Sequence, residues 1–206
     1  MARVGLMGGT FDPVHYGHLC AAEEVREECG LEVVYFIPCN LPPHKESRGL
    51  TPAEHRFNMV QLATASNPGF AASRVEIERG GLSYTIDTVE EFRKRLGEGT
   101  EIYFITGADA IRELGTWKEP ERLVELCRLV AVTRPGFRLD DLRAVLPAKL
   151  SKAIEPLDVG CLNISSTEIR RRVAEGRSIR YLTPPEVALY IANHGLYLNR
   201  EETQGG

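Results

Sequence analysis

Apolar residues cluster in short runs along the chain, at residues 4–7, 33–37, 101–106 and 129–133, closed by Gly8, Pro38, Gly107 and Arg134-Pro135-Gly136. Runs of this length without polar alternation predict strands buried on both faces of a parallel sheet. Between them the spacing turns helical. Residues 19–29 mix apolar positions with Glu23, Glu24, Arg26, Glu27 and Glu28 and stop at Gly30, which predicts an amphipathic helix. Thr51-Pro52-Ala53-Glu54 reads as a capped helix start, the helix running to about residue 66. Further helices are predicted over residues 84–96, 121–127, 140–152 and, after the cap-like Thr183, 184–193. Residues 73–77 alternate as another strand, and a weak strand precedes residue 163. Strand and helix in turn give an α/β fold: a doubly wound, mainly parallel sheet with helices on both faces. No repeat or linker divides the chain, so residues 1–200 are expected to form one domain, with 201–206 a polar tail.

Composition narrows the classes. A chain of 206 residues that is 43% hydrophobic and 26% charged can bury a sizeable single core. A net charge of −4 gives no duplex-DNA footprint, so nucleic acid is not an expected partner; the basic cluster at residues 170–172 is local. The five cysteines (Cys20, Cys29, Cys39, Cys127 and Cys161) are odd in number and widely spaced, as buried free thiols of a reducing compartment are. No apolar run approaches the roughly 18 residues of a membrane span, and the first strand starts without a signal-like segment. A cytoplasmic protein with no membrane partner is expected.

The chemistry concentrates first at residues 8–18, directly after the first strand. Gly8 and Gly9 let backbone approach a ligand, while Pro13 fixes its own φ and holds Asp12 extended, so no helix begins before Val14. His15 and His18 are three apart, on one face near a helix start where free N–H groups favour anions. The stretch reads as a phosphate cradle. A zinc site needs three or four ligands, and no Cys-x-x-Cys or third spaced His lies nearby; no protein-held metal is expected.

Other candidates also follow predicted strands. Residues 38–52 form a loop at a strand's carboxyl end, the edge where parallel sheets bind ligands, and Pro42-Pro43 hold His44 and Lys45 extended there, with Asn40 beside them. Residues 80–88 place free amides at a helix start, near Tyr84 and Thr85. Such a donor cluster favours a carboxylate over a carboxamide, whose amino group sets donors against donors. Asp109, after the strand at 101–106, is placed to accept ribose hydroxyls. Trp117, the only tryptophan, reads equally as core packing and as a stacking platform. Arg134 puts a cation at the same edge, and Ser165, Ser166 and Thr167 open a helix with Arg170 one turn in.

Gly9-Thr10-Phe11-Asp12-Pro13 with His15-x-x-His18 resembles the signature of the nucleotidyltransferases that include nicotinate-nucleotide, pantetheine-phosphate and cytidylyl transferases, and residues 164–170, Ile-Ser-Ser-Thr-x-Ile-Arg, resemble their second signature. Pro42-Pro43-His44-Lys45, Ser83-Tyr84-Thr85-x-Asp87-Thr88, Gly107-x-Asp109 and Trp117 are similar to the segments that mark bacterial nicotinate-nucleotide adenylyltransferases. The resemblance implies a Rossmann-like fold and transfer of AMP from ATP to nicotinate mononucleotide, giving nicotinate adenine dinucleotide and pyrophosphate in NAD biosynthesis. It implies that His15 and His18 face the ATP phosphates, that the loop of Gly8, Gly9, Thr10 and Phe11 holds the triphosphate, and that Arg134 contacts adenosine. Ser165, Ser166, Thr167 and Arg170 would grip phosphates and the departing pyrophosphate. Asn40, His44, Lys45, Tyr84, Thr85, Asp109 and Trp117 would hold the acceptor. Mg²⁺ is implied, held mainly through the ATP phosphates. Nicotinamide mononucleotide or phosphopantetheine as acceptor, and a non-catalytic nucleotide sensor, stay open as alternatives, as does a homo-oligomer.

Overall fold

The first strand, β1 (Arg3–Gly9), is flanked on one side by β2 (Val33–Pro38) and on the other by β4 (Glu101–Gly107). With β3 (Phe70–Ala72), β5 (Arg128–Thr133) and β6 (Ile154–Asp158) they form a six-stranded parallel sheet in the order β3-β2-β1-β4-β5-β6. A computed structural model describes residues 1–43, 49–97, 99–133, 146–160 and 164–198. The chain steps outward from β1 through β2 to β3, then returns past β1 to β4. That reversal leaves a crevice between the carboxyl ends of β1 and β4, where open α/β sheets bind ligands.

Alternation along each strand divides the core in two. Val4, Leu6, Ile37, Ile102, Phe104 and Leu129 face one side, while Met7, Val34, Phe36, Tyr103, Ile105 and Val130 face the other, the period-two consequence of the pleat. The second side is covered by α1 (Tyr16–Glu28) and α2 (Ala53–Thr64) through Ala22, Val25, Met59 and Val60. The first side takes α3 (Val75–Arg79), α4 (Thr85–Leu96), α5 (Ala108–Ile111), α6 (Pro120–Leu126) and α7 (Ala148–Lys152), which bury Val75, Val89, Ile111, Leu123 and Leu150. The last helices, α8 (Ser166–Ala174) and α9 (Pro185–Asn193), return to the α1 side through Ile169, Val187 and Ile191. Among the described residues no helix is long and apolar enough to cross a membrane.

The structure corrects several local readings. Residues 73–77 are no strand: β3 is three residues earlier, and the segment after it turns into α3, with Ser73 Oγ accepting from the Val75 N–H and Arg74 O from the Glu78 N–H. Consecutive burial of Val75 and Glu76 is what alternation forbids and a helix turn allows. Thr51 does not cap α2; Pro52 occupies that position, and the Thr51 N–H donates to Asp12. Thr183 does not cap α9 either, because its hydroxyl donates to the Val14 carbonyl. Of the cysteines, Cys39 and Cys127 are buried, and burial pushes both thiols up, Cys127 to about 12. Cys20 and Cys29 are only half-buried, and Cys161 lies outside the described residues. Arg171 and Arg172 of the basic cluster pair with Glu168 on the outer face of α8.

Candidate active site

β1 delivers Gly8 and Gly9 to the switch point. A Cβ on Gly8 would meet the Phe104 ring at 2.9 Å, and one on Gly9 the Phe11 ring at 3.1 Å, so glycine is what lets the loop lie against both aromatics. Phe11, at φ 49, turns its ring into the core against Phe36. His15 then takes extended geometry as the residue before α1. Its imidazole is 4% exposed and stacks on that of His18, centroids 3.7 Å apart, while the Phe11 ring meets His18 edge-on at 5.0 Å. The His15 N–H donates to His18 Nδ1 at 3.2 Å. An Nδ1 that accepts leaves the proton of a neutral imidazole on Nε2. His18 is thereby set as a fixed Nε2–H donor, the group that charge developing on a phosphoryl oxygen requires.

Two cavities open along the crevice. The larger, about 580 Å³, extends from the glycine loop to Tyr84, Thr85, Trp117 and Lys118. The smaller, about 310 Å³, runs beside His15 and Gly17 to Gly107 and the apolar side chains of Val132, Val159 and Ile164. They share Gly8, Gly9, Phe11, His18, Thr106 and Ser166. A ligand in each would meet at His18.

Helix α8 closes the shared wall from above the sheet. Ser165 caps it, Oγ accepting from the Glu168 N–H at 3.2 Å, and faces the smaller cavity. Ser166 donates its hydroxyl to the Pro13 carbonyl at 2.8 Å, so its proton is engaged by the loop and not offered to a phosphate. Thr167 and Arg170 line the larger cavity; Arg170 Nη1 donates to the Asp12 carbonyl at 2.6 Å and Nη2 to Thr167 Oγ1 at 3.4 Å.

At the far end of the larger cavity, Tyr84 precedes α4 without making a side-chain cap, which leaves the first-turn amides of Thr85 and its neighbours to a ligand. Lys118, which sequence reasoning missed, also lines this end; its Nζ sits 2.7 Å from Asp87 Oδ1 and 5.0 Å from the Tyr84 ring centre. Trp117 is half-buried, edge-on to Phe104 at 6.1 Å, with part of its surface in the cavity. The tryptophan stands at the core's rim, packed against Phe104 on one side and facing the cavity on the other.

Other candidates stand apart. Asn40 is not among the residues lining either cavity: its N–H donates to Ser83 Oγ and its Nδ2 to the Gly81 carbonyl, stapling two loops together. Asp109 is exposed on α5 and lines neither cavity. His44, Lys45 and Arg134 lie outside the described residues.

Two buried charges at the site escaped sequence reasoning. Arg56 of α2 is 0% exposed and donates to the carbonyls of Thr51, Thr10 and Asn40 at 2.8–3.0 Å. Glu76 of α3 lines the larger cavity at 6% exposure, accepting from Thr88 Oγ1 at 2.6 Å. Burial pushes its carboxyl up, against the hydrogen bonds of Thr88 and Ser83 and the nearby charges of Arg79 and Arg56. An isolated Arg in a helix and a Glu in an alternating segment carry no signal of burial.

Residues 6–172 match the cytidylyltransferase-like family. A probable nicotinate-nucleotide adenylyltransferase of Moorella thermoacetica is 52% identical over 96% of this chain and 93% of its own. One of Thermus thermophilus is 51% identical over 95% and 99%. The solved nicotinic acid mononucleotide adenylyltransferase of Plasmodium falciparum, complexed with NaAD, superposes with a TM-score of 0.76 at 21% identity, covering 96% of this chain and 98% of that one. With both signatures at the switch point and half its residues shared across nearly its whole length, this chain belongs to the nicotinate-nucleotide adenylyltransferases, within the cytidylyltransferase-like nucleotidyltransferases.

Proposed function

We propose that this enzyme transfers AMP from ATP to nicotinate mononucleotide. The observation that carries the reading is the pair of cavities joined at His18. The smaller, with its apolar Val132, Val159 and Ile164, suits the adenosine end of ATP. The larger takes the acceptor, its pyridine ring beside Trp117 and its carboxylate at the start of α4 near Lys118. A phosphate oxygen of the mononucleotide attacks the α-phosphorus, forming a new P–O–P bridge as the bond to the β-phosphate oxygen breaks and pyrophosphate leaves. The enzyme supplies positioning and charge stabilisation, so no covalent nucleophile is required. His18 Nε2–H and the glycine-loop amides hold the oxygens of the α-phosphate, and Arg170 balances the charge of pyrophosphate.

Among the described residues no group of three or more His, Cys, Asp and Glu is arranged to hold a metal ion. A divalent cation, Mg²⁺ in this reading, would be held mainly through the ATP phosphates and would offset their negative charge.

Pyrophosphate release from ATP tests the reading, with nicotinate mononucleotide, nicotinamide mononucleotide and phosphopantetheine compared as acceptors. Strong preference for the nicotinate form is expected. Equal use of the two pyridine nucleotides would remove the carboxylate's role at α4, and silence with all three would favour a nucleotide sensor. Within the same assay, Trp117→Ala should raise KM for the acceptor by roughly 10-fold, the scale of one lost stacking contact, with kcat little changed, as lost uniform binding requires. An unchanged KM would return Trp117 to the core's rim alone.

A further inference from the structure

The turn after α9 reaches back to the glycine loop. Gly195 at φ 56 and Tyr197 at φ 66 fold the chain so that Tyr197 Oη donates to Asp12 Oδ1 at 2.6 Å. The other carboxylate oxygen, Oδ2, accepts from the Thr51 N–H at 3.3 Å. Asp12 is 4% exposed, and it lines the larger cavity. Burial and the Asp12 charge push the Tyr197 phenol up, so it stays protonated and remains the donor.

Arg170 is bonded to the same residue, but to its main chain: Nη1 meets the Asp12 carbonyl at 2.6 Å. A buried carboxylate and a guanidinium thus sit on one residue's two ends without pairing. A charge-assisted bond between them would be stronger than the neutral one to the carbonyl, and it would cancel the positive charge that Arg170 brings to the cavity. The phenol of Tyr197 occupies Oδ1 of the carboxylate, and the Thr51 N–H occupies Oδ2. Tyr197 itself lines neither cavity, so it acts on turnover through the residues it bonds, of which Asp12 lines the larger cavity.

We propose that Tyr197 is a positioning residue for adenylyl transfer: its hydroxyl holds the Asp12 carboxylate away from Arg170 and so keeps the guanidinium available to the phosphates. This rests on the reaction proposed above. Removing the hydroxyl leaves Oδ1 buried without its donor, and the carboxylate turns to the guanidinium already bonded to its own main chain, that of Arg170. Arg170 is then drawn from the phosphates, although every residue lining the cavity is intact.

Three variants test this by steady-state pyrophosphate release at saturating acceptor: Tyr197→Phe, Asp12→Asn and the double variant, each checked for folding by a thermal melt. Tyr197→Phe should lower kcat by roughly 10-fold, the low end of the loss for a bond to a charged group, with acceptor KM within about twofold. Asp12→Asn, with no charge to capture Arg170, should lose less than Tyr197→Phe, and the double variant should recover activity relative to Tyr197→Phe. A pin that merely braces the loop gives the opposite order, because removing the whole carboxylate would cost at least as much as removing one bond to it, and the two losses would add. That order, or a folded Tyr197→Phe with wild-type kcat, overturns the proposal. Should Tyr197→Phe fail to fold, the double variant against Asp12→Asn decides: equal kcat supports the capture account, and a further loss overturns it. Wild-type protein that releases no pyrophosphate with any acceptor would overturn the underlying reaction instead.

Discussion

His18→Ala should lower kcat by about 10²-fold or more, the scale of losing one preorganised donor to a developing phosphoryl charge. The size follows from how completely the ring is fixed. Its Nδ1 is engaged by the His15 N–H, one face lies on the His15 imidazole, and the Phe11 ring meets it edge-on. A donor held this way pays no reorganisation in the transition state. His18 is also among the residues common to both cavities, so alanine removes a contact at the junction and little of either binding surface. The effect belongs in kcat, with KM for ATP and for the acceptor changing far less. Single-turnover pyrophosphate release with both substrates saturating measures it directly; a mutant with near-normal kcat would take His18 out of the chemistry.

His15 contributes differently in this geometry. It faces the smaller cavity from a buried position under His18, so part of its role is to hold the neighbouring ring. The sequence spacing placed both imidazoles on one face, and they do share it; which lies outermost depends on the extended backbone of His15, which no spacing rule contains.

What could be read from the chain follows the strength of the local signal. The strands β1, β2, β4 and β5 were visible because a strand buried on both faces reads as a mainly apolar run, and the segments after β1 and β4 bring His18 and Trp117 to one crevice, which Arg170 reaches from α8. β3 was misplaced because a three-residue edge strand is too short to set a period, and the alternation of residues 73–77 belongs to a helix turn that buries Glu76. Long-range ties were out of reach. Ser166, Thr183 and Tyr197 all bond the Asp12–Val14 stretch from at least 150 residues away, and a hydroxyl gives no local sign of the carbonyl or carboxylate it will meet. Two of those residues read as helix caps for the same reason that they serve as ties: a short polar side chain at an element's start can turn to its own backbone or to another's.

Arg56→Met should destabilise the fold by on the order of 3–5 kcal/mol, measured as a fall in the urea midpoint at unchanged slope. Methionine refills most of the volume, so the loss isolates the hydrogen bonds from the cavity. Those bonds join three segments through one side chain: the glycine loop at Thr10, the loop after β2 at Asn40 and the approach to α2 at Thr51. A buried carbonyl left without a donor costs about 1–3 kcal/mol, the most here at Thr51, whose bond is buried, and less at Thr10 and Asn40, whose bonds are part-buried. Lysine is a poorer substitute than its charge suggests, because one ammonium cannot reproduce the planar fork that meets three carbonyls in different directions; Arg56→Lys should recover only part of the loss. Of the three, Thr10 lines the larger cavity, where Cys39 and Pro42 flank the Asn40 segment, so the destabilised variants should also bind the acceptor more weakly, KM rising as the loops come apart. A fall of less than about 1 kcal/mol for Arg56→Met would mean that water satisfies these carbonyls, and the walls of the cavity would then owe their shape to packing between β1 and β2 and not to the guanidinium.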